Sequence, residues 1–334
     1  MAQTSTGYVV TRPHPGSGIG SNLASLAGAI WFAERLNRTV IVDWRGSAFL
    51  KDQSLNYFSE FFETPDVIQG VPVRYGPCAE LPEPAESTHE LGVGAARGVL
   101  AAGGSQHQHL RLKDYHGLER LDAKAKPPVL FWRLKDFYRF VIPRDFVRLE
   151  IDRFATEHFT NAFVVGVNLS SGNGEFDKGQ YYQGRVDTQI FSKDAIFLRK
   201  VERARALAVK GLPRALRGEG RIFFATDSYA MHRLLTQLPN AVTRRTVFPP
   251  PGVGRVFCDY HDPGYTDRDA IVDAIVDMFL LARCHALVRN GSVFNEYANT
   301  VTNCFSGNVR HIESLYARYW ARAAWGYAKR FAGR

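Results

Sequence analysis

The sequence predicts an α/β fold in which two parallel sheets each form the centre of a domain. Short apolar runs rich in β-branched residues are followed by glycine-containing turns and then by helical periodicity, a pattern typical of βαβ units. The pattern occurs twice, once from residue 9 and again from residue 162. A chain of 334 residues is also sufficient for two domains of about 150 residues each.

The first βαβ unit opens the chain. Val9 and Val10 begin a strand, residues 13–20 form a glycine-rich turn, and apolar periodicity predicts a helix over 23–36. The run at 39–42 is rich in apolar, β-branched residues, as expected for a strand buried in a parallel sheet. This half therefore begins as a doubly wound sheet.

The second series follows a less regular middle region. Residues 82–109 show no clear period and are predicted to form loops around a short helix, whereas 145–160 are predicted to be a helix. The remaining predicted elements are strands at 162–167, 221–228 and 286–289 and helices at 193–210, 229–238 and 268–284. We therefore predict two Rossmann-like domains that face each other across a cleft, at 1–150 and 151–305, and a separate C-terminal helix at 306–334.

Composition and charge exclude several classes of protein. No run approaches the roughly 20 apolar residues of a membrane-spanning helix, and no export signal opens the chain, so we expect a cytoplasmic protein. The four cysteines lack C-x-x-C spacing and the ten histidines lack metal-ligand spacing, so we expect no metal site. His107 and His109 are expected to be surface residues.

The net charge of +9 is concentrated in two stretches. Residues 199–217 carry seven basic side chains against one acid, and residues 310–334 carry six against one. Such excess suits an anionic partner such as a nucleotide diphosphate or an anionic membrane, although a solvated helix face explains each stretch equally well. Nucleic acid is not expected, because the sequence has no aromatic-basic motif of the known binding modules.

Three polar turns follow predicted strands of the second half. Their sequences are Gly172-Asn173-Gly174-Glu175, Thr226-Asp227-Ser228 and Asn290-Gly291-Ser292. Ligands of open α/β sheets bind outside the carboxyl ends of the strands, where glycines and helix N-termini favour phosphate. Each turn alone fits an ordinary helix cap or turn, but three at successive strand ends favour a binding site.

These motifs resemble those of the NodZ-type α-1,6-fucosyltransferases. The Gly-Asn-Gly-Glu turn after an apolar strand is similar to the family's first motif, Phe224–Ser228 is similar to the second, and 278–284 with 292–298 is similar to the third. In the first half, 39–47 and 61–63 also match. The resemblance implies a GT-B fold, a GDP-fucose donor held by the C-terminal domain, no metal or other cofactor, and inversion at the transferred sugar.

The chemistry of such a reaction needs a base and a site for the leaving diphosphate. Glu175 is the predicted base, and Asp177 is the alternative. Asp277 lies where related core α-1,6-fucosyltransferases have an acid that contacts the donor nucleoside; a polar helix position is the other interpretation. The predicted donor-binding residues are Asn168, Ser170, Gly172, Asn173, Gly174, Asp227, Ser228, Asp277, Arg289, Ser292 and Phe294.

The first motif departs from the family at Asn168, Ser170 and Ser171, and Ser171 stands where the family has a second His. The family has His and Arg where this sequence has Asn168 and Ser170, and a serine does not replace a bidentate cation that grips phosphate. Either another cation reaches the donor, with Arg185, Arg199 and Arg289 as candidates, or the donor is bound differently, or activity is low. Arg289 is favoured because it directly follows the last predicted strand.

An acceptor site is predicted on the N-terminal domain. Asp43, Trp44 and Arg45 follow a strand, so that the indole is expected to stack on a sugar ring while the charged pair bonds to hydroxyls. The alternative is an Asp–Arg pair that fixes a turn. The acceptor implied by the resemblance is an oligosaccharide that contains N-acetylglucosamine, either free or lipid-linked.

The C-terminal segment alternates aromatic and arginine residues at helical spacing. This pattern is typical of an amphipathic helix on an anionic membrane surface, and packing against the protein is the alternative. The predicted function is thus that of an inverting glycosyltransferase using GDP-fucose. A transferase of altered donor specificity and a catalytically silent sugar-binding or nucleotide-binding relative are the alternatives.

Overall fold

The structure is a computed structural model that describes residues 7–13, 19–46, 52–76, 88–91, 109–112, 136–169, 220–226, 232, 236–244 and 267–288. The strands are β1 (Tyr8–Thr11), β2 (Thr39–Val42), β3 (Val67–Ile68), β4 (Val71–Tyr75), β5 (Thr88–Leu91), β6 (His109–Leu112), β7 (Phe163–Leu169), β8 (Gly220–Thr226), β9 (Ala241–Val242) and β10 (Ala286–Val288). The helices are α1 (Ile19–Leu36), α2 (Tyr57–Phe61), α3 (Asp145–Phe159) and α4 (Asp267–Arg283).

The first half forms a six-stranded sheet with the order β3-β4-β2-β1-β6-β5. All neighbouring strands are parallel except β3 and β4, which are antiparallel. The central strand β2 is buried along its whole length, and the apolar side of α1 is buried as well. Burial on both faces explains why this strand is a continuous apolar run in the sequence.

The second half forms a four-stranded parallel sheet with the order β10-β7-β8-β9. The helix α4 leads into β10 through Cys284 and His285, so it runs antiparallel to the strands, as a crossover helix must. Its side chains from Ile275 to Ala282 are all buried. The sheet and this helix share one apolar core with α3.

The helix α3 links the two sheets. Near its beginning, the Arg144 N–H donates to the Phe61 carbonyl at 2.9 Å, and the Phe146 ring lies 6.3 Å from the Phe61 ring. At its other end, Phe154 and Phe159 contact Phe223 of β8 at ring distances of 5.7 and 5.5 Å. The predicted helix at 145–160 therefore contacts both halves of the molecule.

The structure confirms most of the predicted elements, with ends shifted by a few residues. These are the strands near residue 9 and at 39–42, 162–167, 221–228 and 286–289, and the helices over 23–36, 145–160 and 268–284. The prediction of loops around a short helix at 82–109 is wrong for residues 88–91, which form β5 beside β6. This edge strand has the polar sequence Thr-His-Glu-Leu, and its pairing depends on a partner about twenty residues further on. Three predicted segments lie wholly or mostly outside the described residues: the helix at 193–210, the helix at 229–238 and the C-terminal helix at 306–334.

Candidate functional site

Three strands of the second sheet end at one edge. In the parallel register, Asn168 pairs with Ala225 and Leu169 with Thr226, while Val288 pairs with Val167. The last residues of β7, β8 and β10 therefore lie side by side. In the sequence, the segments predicted to be polar turns follow these strand ends, and this is the edge at which open α/β sheets bind ligands.

Polar side chains are buried at this edge. Asn168 is 4% exposed and Thr226 is 3% exposed, although the strand residues just before them are apolar. Asn168 shares a sheet face with Gly166, two residues earlier, and that face is covered by Cys284 at the end of α4. Asn168 thus points to the side of the sheet on which α4 packs.

Asp277 lies on α4 and is 4% exposed, so it is not a solvated polar position. Cys284 packs beside Gly166, and Asp277 precedes Cys284 by about two helical turns, or about 10 Å. Leu169 lies about the same distance beyond Gly166 along the strand. Because the helix and the strand run in opposite directions, Asp277 lies about level with the carboxyl end of β7.

An ion pair that the sequence analysis missed lies one turn from Asp277. Arg244, two residues after β9, donates to the carboxylate of Asp273 on α4. Both side chains are largely buried, at 15% and 18% exposure. The signal in the sequence is weak: the i, i+4 spacing of the two aspartates on one helix face is visible, but their pairing with Arg244 depends on the fold.

Cys284 and His285 lie further from the carboxyl edge of this sheet, and both have structural roles. Burial raises the pKa of the Cys284 thiol above its ordinary value of 9.0, so the thiol stays protonated at neutral pH and is a poor nucleophile. It donates to the Leu280 carbonyl within its own helix. Partial burial lowers the pKa of His285, whose Nδ1 accepts a hydrogen bond from the Val164 N–H at 3.1 Å.

At the carboxyl edge of the first sheet, two arginines contact one buried carboxylate. Arg45 donates to both oxygens of Asp43, at 2.7 and 3.1 Å, and the Nε of Arg12 lies 3.4 Å from the same group. Arg12 follows β1, the strand beside β2, and was not predicted from the sequence. The interpretation of Asp43 and Arg45 as a pair that fixes a turn matches this geometry; a role in acceptor binding stays a prediction.

Trp44 corrects part of the acceptor prediction. Its side chain is fully buried, stacked on Tyr57 at a ring distance of 5.5 Å and in edge contact with Phe58 at 5.3 Å. The indole N–H donates to the Thr11 hydroxyl at 3.4 Å. The indole therefore belongs to the core and presents no open face on which a sugar ring can stack.

Within the described ranges, no group of three His, Cys, Asp or Glu side chains lies together as metal ligands do. In the same part of the chain, no helix is both long and apolar enough to cross a membrane.

Comparison with known proteins identifies the family. The profile described as Nodulation protein Z (NodZ) matches residues 6–80 and 130–307, which is most of the chain. The chain belongs to the NodZ family. The resemblance seen in the motifs is thereby confirmed.

Individual NodZ relatives match over most of their length. Nodulation protein Z of Bradyrhizobium diazoefficiens is 28% identical over 315 residues, covering 87% of this chain and 78% of the relative. The corresponding protein of Azorhizobium caulinodans is 27% identical over 293 residues, covering 82% of each. These similarities span both sheets.

Solved NodZ structures share the fold. NodZ α-1,6-fucosyltransferase co-crystallised with GDP superposes with a TM-score of 0.58 at 21% identity, covering 89% of this chain and 92% of that one. The same enzyme soaked with GDP-fucose gives 0.58 at 22% identity, covering 88% and 92%. The predicted GT-B fold is confirmed, and the NodZ family membership bears out the expectation of a fucosyltransferase-type glycosyltransferase.

Most residues of the predicted donor site lie beyond the described part of this NodZ-family chain. Of that set, the structure describes Asn168 and Asp277 and brings both to the carboxyl edge of the second sheet. The predicted residues outside the described ranges are Ser170, Gly172, Asn173, Gly174, Glu175, Asp227, Ser228, Arg289, Ser292 and Phe294.

Proposed function

We propose that this chain is an inverting fucosyltransferase that moves fucose from GDP-fucose to a hydroxyl of an oligosaccharide containing N-acetylglucosamine. The observation that carries the proposal is the carboxyl edge of the second sheet, where three strands end together beside the buried side chains of Asn168 and Asp277. This is where a nucleotide binds in doubly wound folds.

Guanine is the base that suits Asp277. A carboxylate accepts two parallel hydrogen bonds, and guanine offers two adjacent donors, its N1–H and its amino group. Adenine and uracil do not offer this pair. A carboxylate at 4% exposure loses most of its hydration, so a ligand that supplies two donors compensates for the cost of burial.

The reaction itself is a displacement at the anomeric carbon of fucose. The acceptor oxygen forms the new bond while the bond to the GDP oxygen breaks, and GDP leaves with the electron pair. Glu175 takes the acceptor proton in this proposal, and the backbone around Gly291 with Ser292 stabilises the leaving diphosphate. Arg289 supplies the cation that Ser170 does not. No metal or other cofactor takes part.

The domain roles follow from this arrangement. Residues 151–305 bind the nucleotide sugar, and residues 1–150 bind the acceptor, with Asp43 and Arg45 at the carboxyl edge of the first sheet. Two guanidinium groups around one carboxylate leave a net positive charge there. Residues 306–334 form a basic helix that contacts an anionic membrane when the acceptor is lipid-linked, and the enzyme works in the cytoplasm.

The second candidate function is that of a catalytically silent relative, which binds sugar or nucleotide without transfer, and one observation favours it. Asn168 stands where the family has a histidine, and in this structure it is buried at the end of β7. Together with Ser170 at the arginine position, it leaves the first motif without its cations. Such a chain would bind GDP and sugar without transfer.

Ligand binding and turnover test the proposal together. We expect GDP to raise the melting temperature of the full chain, by an amount equivalent to about 2.7 kcal/mol at 100 times Kd, and UDP, CDP and dTDP to have little effect. Asp277→Asn should weaken the GDP effect, whereas Asp269→Asn, an exposed change on the same helix, should not. GDP release from GDP-fucose with chitin oligomers should fall about 100-fold or more in Glu175→Gln.

The outcomes separate the candidates. GDP binding without GDP release from GDP-fucose identifies the silent relative. A chain that responds equally to all four nucleotides has no guanine site, which rules out GDP-fucose as its specific donor.

A further inference from the structure

The side chain of Arg244 pairs with a residue that lies one helical turn from Asp277. Arg244 pairs with Asp273, and Asp273 precedes Asp277 by four residues on α4. Residues with this spacing lie on one helix face with Cβ atoms about 6 Å apart. Asp273, the partner of the Arg244 guanidinium, is therefore about one helical turn from Asp277.

The strand register brings Arg244 to the same edge of the sheet. The last residue of β9, Val242, pairs with Phe223 of β8. Arg244 is two residues further on and is thus about level with Ala225, the residue that pairs with Asn168. Since α4 packs across this sheet face, the arginine, Asp277 and Asn168 all lie at the ligand-binding end of the strands.

The burial of the pair indicates a fixed orientation. Arg244 and Asp273 are only 15% and 18% exposed. A largely buried ion pair contributes little net stability, because its desolvation cost offsets the attraction between the charges. It does hold a planar guanidinium in one orientation, and a guanidinium has five N–H donors, more than its contact with Asp273 uses.

We propose that Arg244 is a specificity-determining residue that binds the O6 and N7 edge of the donor's guanine while Asp277 binds its N1–H and amino edge. This inference rests on the proposed use of a GDP-sugar. A bidentate bond from arginine to O6 and N7 is the commonest specific contact to guanine. Asp273 acts as a positioning residue, because it contacts Arg244 rather than the base.

Together the two charged groups match guanine and reject the other bases. Guanine presents the acceptors O6 and N7 along one edge and the donors N1–H and amino along another, so a cation and an anion that reach different edges of the ring complement it. Adenine places an amino donor where guanine has O6, which opposes the donors of Arg244. Uracil and cytosine have no N7 acceptor.

The test compares GDP with 7-deaza-GDP, in which a carbon replaces N7, by calorimetric titration of the full chain. The unaltered chain should bind GDP about tenfold more tightly than 7-deaza-GDP, because one hydrogen bond to the guanidinium is lost. Arg244→Gln should weaken GDP binding about tenfold or more and bind the two nucleotides almost equally. Asp273→Asn should show the same trend to a smaller extent.

Arg221→Gln is the matched control. Arg221 is a partly buried arginine of β8 that donates to the His158 carbonyl at 2.6 Å, away from the ligand-binding edge. It should keep both the affinity for GDP and the preference over 7-deaza-GDP. Circular dichroism of each variant checks that it is folded.

Two results would overturn the inference, one from the unaltered chain and one from the Arg244→Gln variant. If the unaltered chain binds GDP and 7-deaza-GDP equally, nothing reads N7. If Arg244→Gln weakens both nucleotides by the same factor, the arginine serves the phosphates or the fold instead. Failure of the unaltered chain to bind any GDP would overturn the proposed function itself, which is a different outcome.

Discussion

His285 connects α4 to the central strand of the second sheet. Its backbone N–H donates to the Val164 carbonyl at 2.9 Å, and its ring Nδ1 accepts from the Val164 N–H at 3.1 Å. The ring also packs on Phe163 at a centroid distance of 5.1 Å. A protonated Nδ1 is no longer an acceptor, so this contact requires the neutral ring.

The charge state of His285 makes stability depend on pH. Burial lowers the pKa of His285 below its ordinary value of 6.5 in the folded chain. Between the two pKa values, the unfolded chain binds more protons than the folded one, so stability rises with pH. The contribution of His285 is therefore complete above pH 6.5 and is lost as the pH falls through the lowered pKa.

Substitution by asparagine tests this prediction, because its side-chain oxygen can accept the same hydrogen bond without titrating. Urea midpoints should fall less between pH 7.5 and pH 5 in His285→Asn than in the unaltered chain. Other histidines contribute to the remaining slope, so the comparison is between the two slopes. Equal slopes would show that the ring of His285 does not control this pH dependence.

At the scale of elements, α4 and β7 approach closely at Gly166. A Cβ atom at this position would lie 2.6 Å from Cδ2 of Leu287 and 2.8 Å from Sγ of Cys284. Both neighbours are buried and have little space in which to move. The glycine thus sets how closely the helix and β10 pack against the strand that carries Asn168.

Gly166→Ala should lower the free energy of unfolding by about 1–3 kcal/mol, the usual cost of overpacking a core. Urea denaturation at constant pH measures the loss. The double variant with Cys284→Ala should recover part of the lost free energy, because the Cys284 sulfur, 2.8 Å from the added Cβ, is removed. A single variant as stable as the unaltered chain would mean that the neighbours move apart without cost.

At the scale of the whole molecule, the two sheets are joined through α3. Its beginning contacts α2, and α2 in turn packs on the first sheet, since Asn56 at its N-terminus donates to the Val42 carbonyl at 2.6 Å. Its later turns contact β8, and Asp152 pairs with Arg283 of α4 at 2.5 Å. A disturbance at the α2–α3 contact is therefore expected to reach both halves.

Phe61→Ala tests this coupling. The ring of Phe61 is fully buried between Tyr57 and Phe146, so its removal should cost about 3–5 kcal/mol. Hydrogen exchange should show lost protection both in α1 and in α4. Leu149→Ala, at an exposed position of α3, should change stability by less than about 0.5 kcal/mol.

If protection is lost in α1 alone, the two halves unfold independently despite their contacts. Calorimetry would then show two separate transitions for the variant. A single transition that moves to lower temperature supports the coupled arrangement.

Elements whose signals are local could be predicted from the order of the amino acids alone. Strands buried on both faces, such as β2 and β7, appear as continuous apolar runs, and α4 has helical periodicity between recognisable ends. The family motifs lie next to these elements, which is why fold, family and enzyme class were all predicted correctly. The position of Asn168 at a strand end also followed from the run before it.

Features that depend on partners distant in the chain became visible only in the folded molecule. The polar strand β5 exists because β6 pairs with it, and Trp44 is a core residue because α2 folds over it. Arg12 reaches Asp43, and Arg244 reaches Asp273, across separate elements. Periodicity reports how each segment distributes apolar residues over its own faces, but not which charged side chains of other segments arrive beside them.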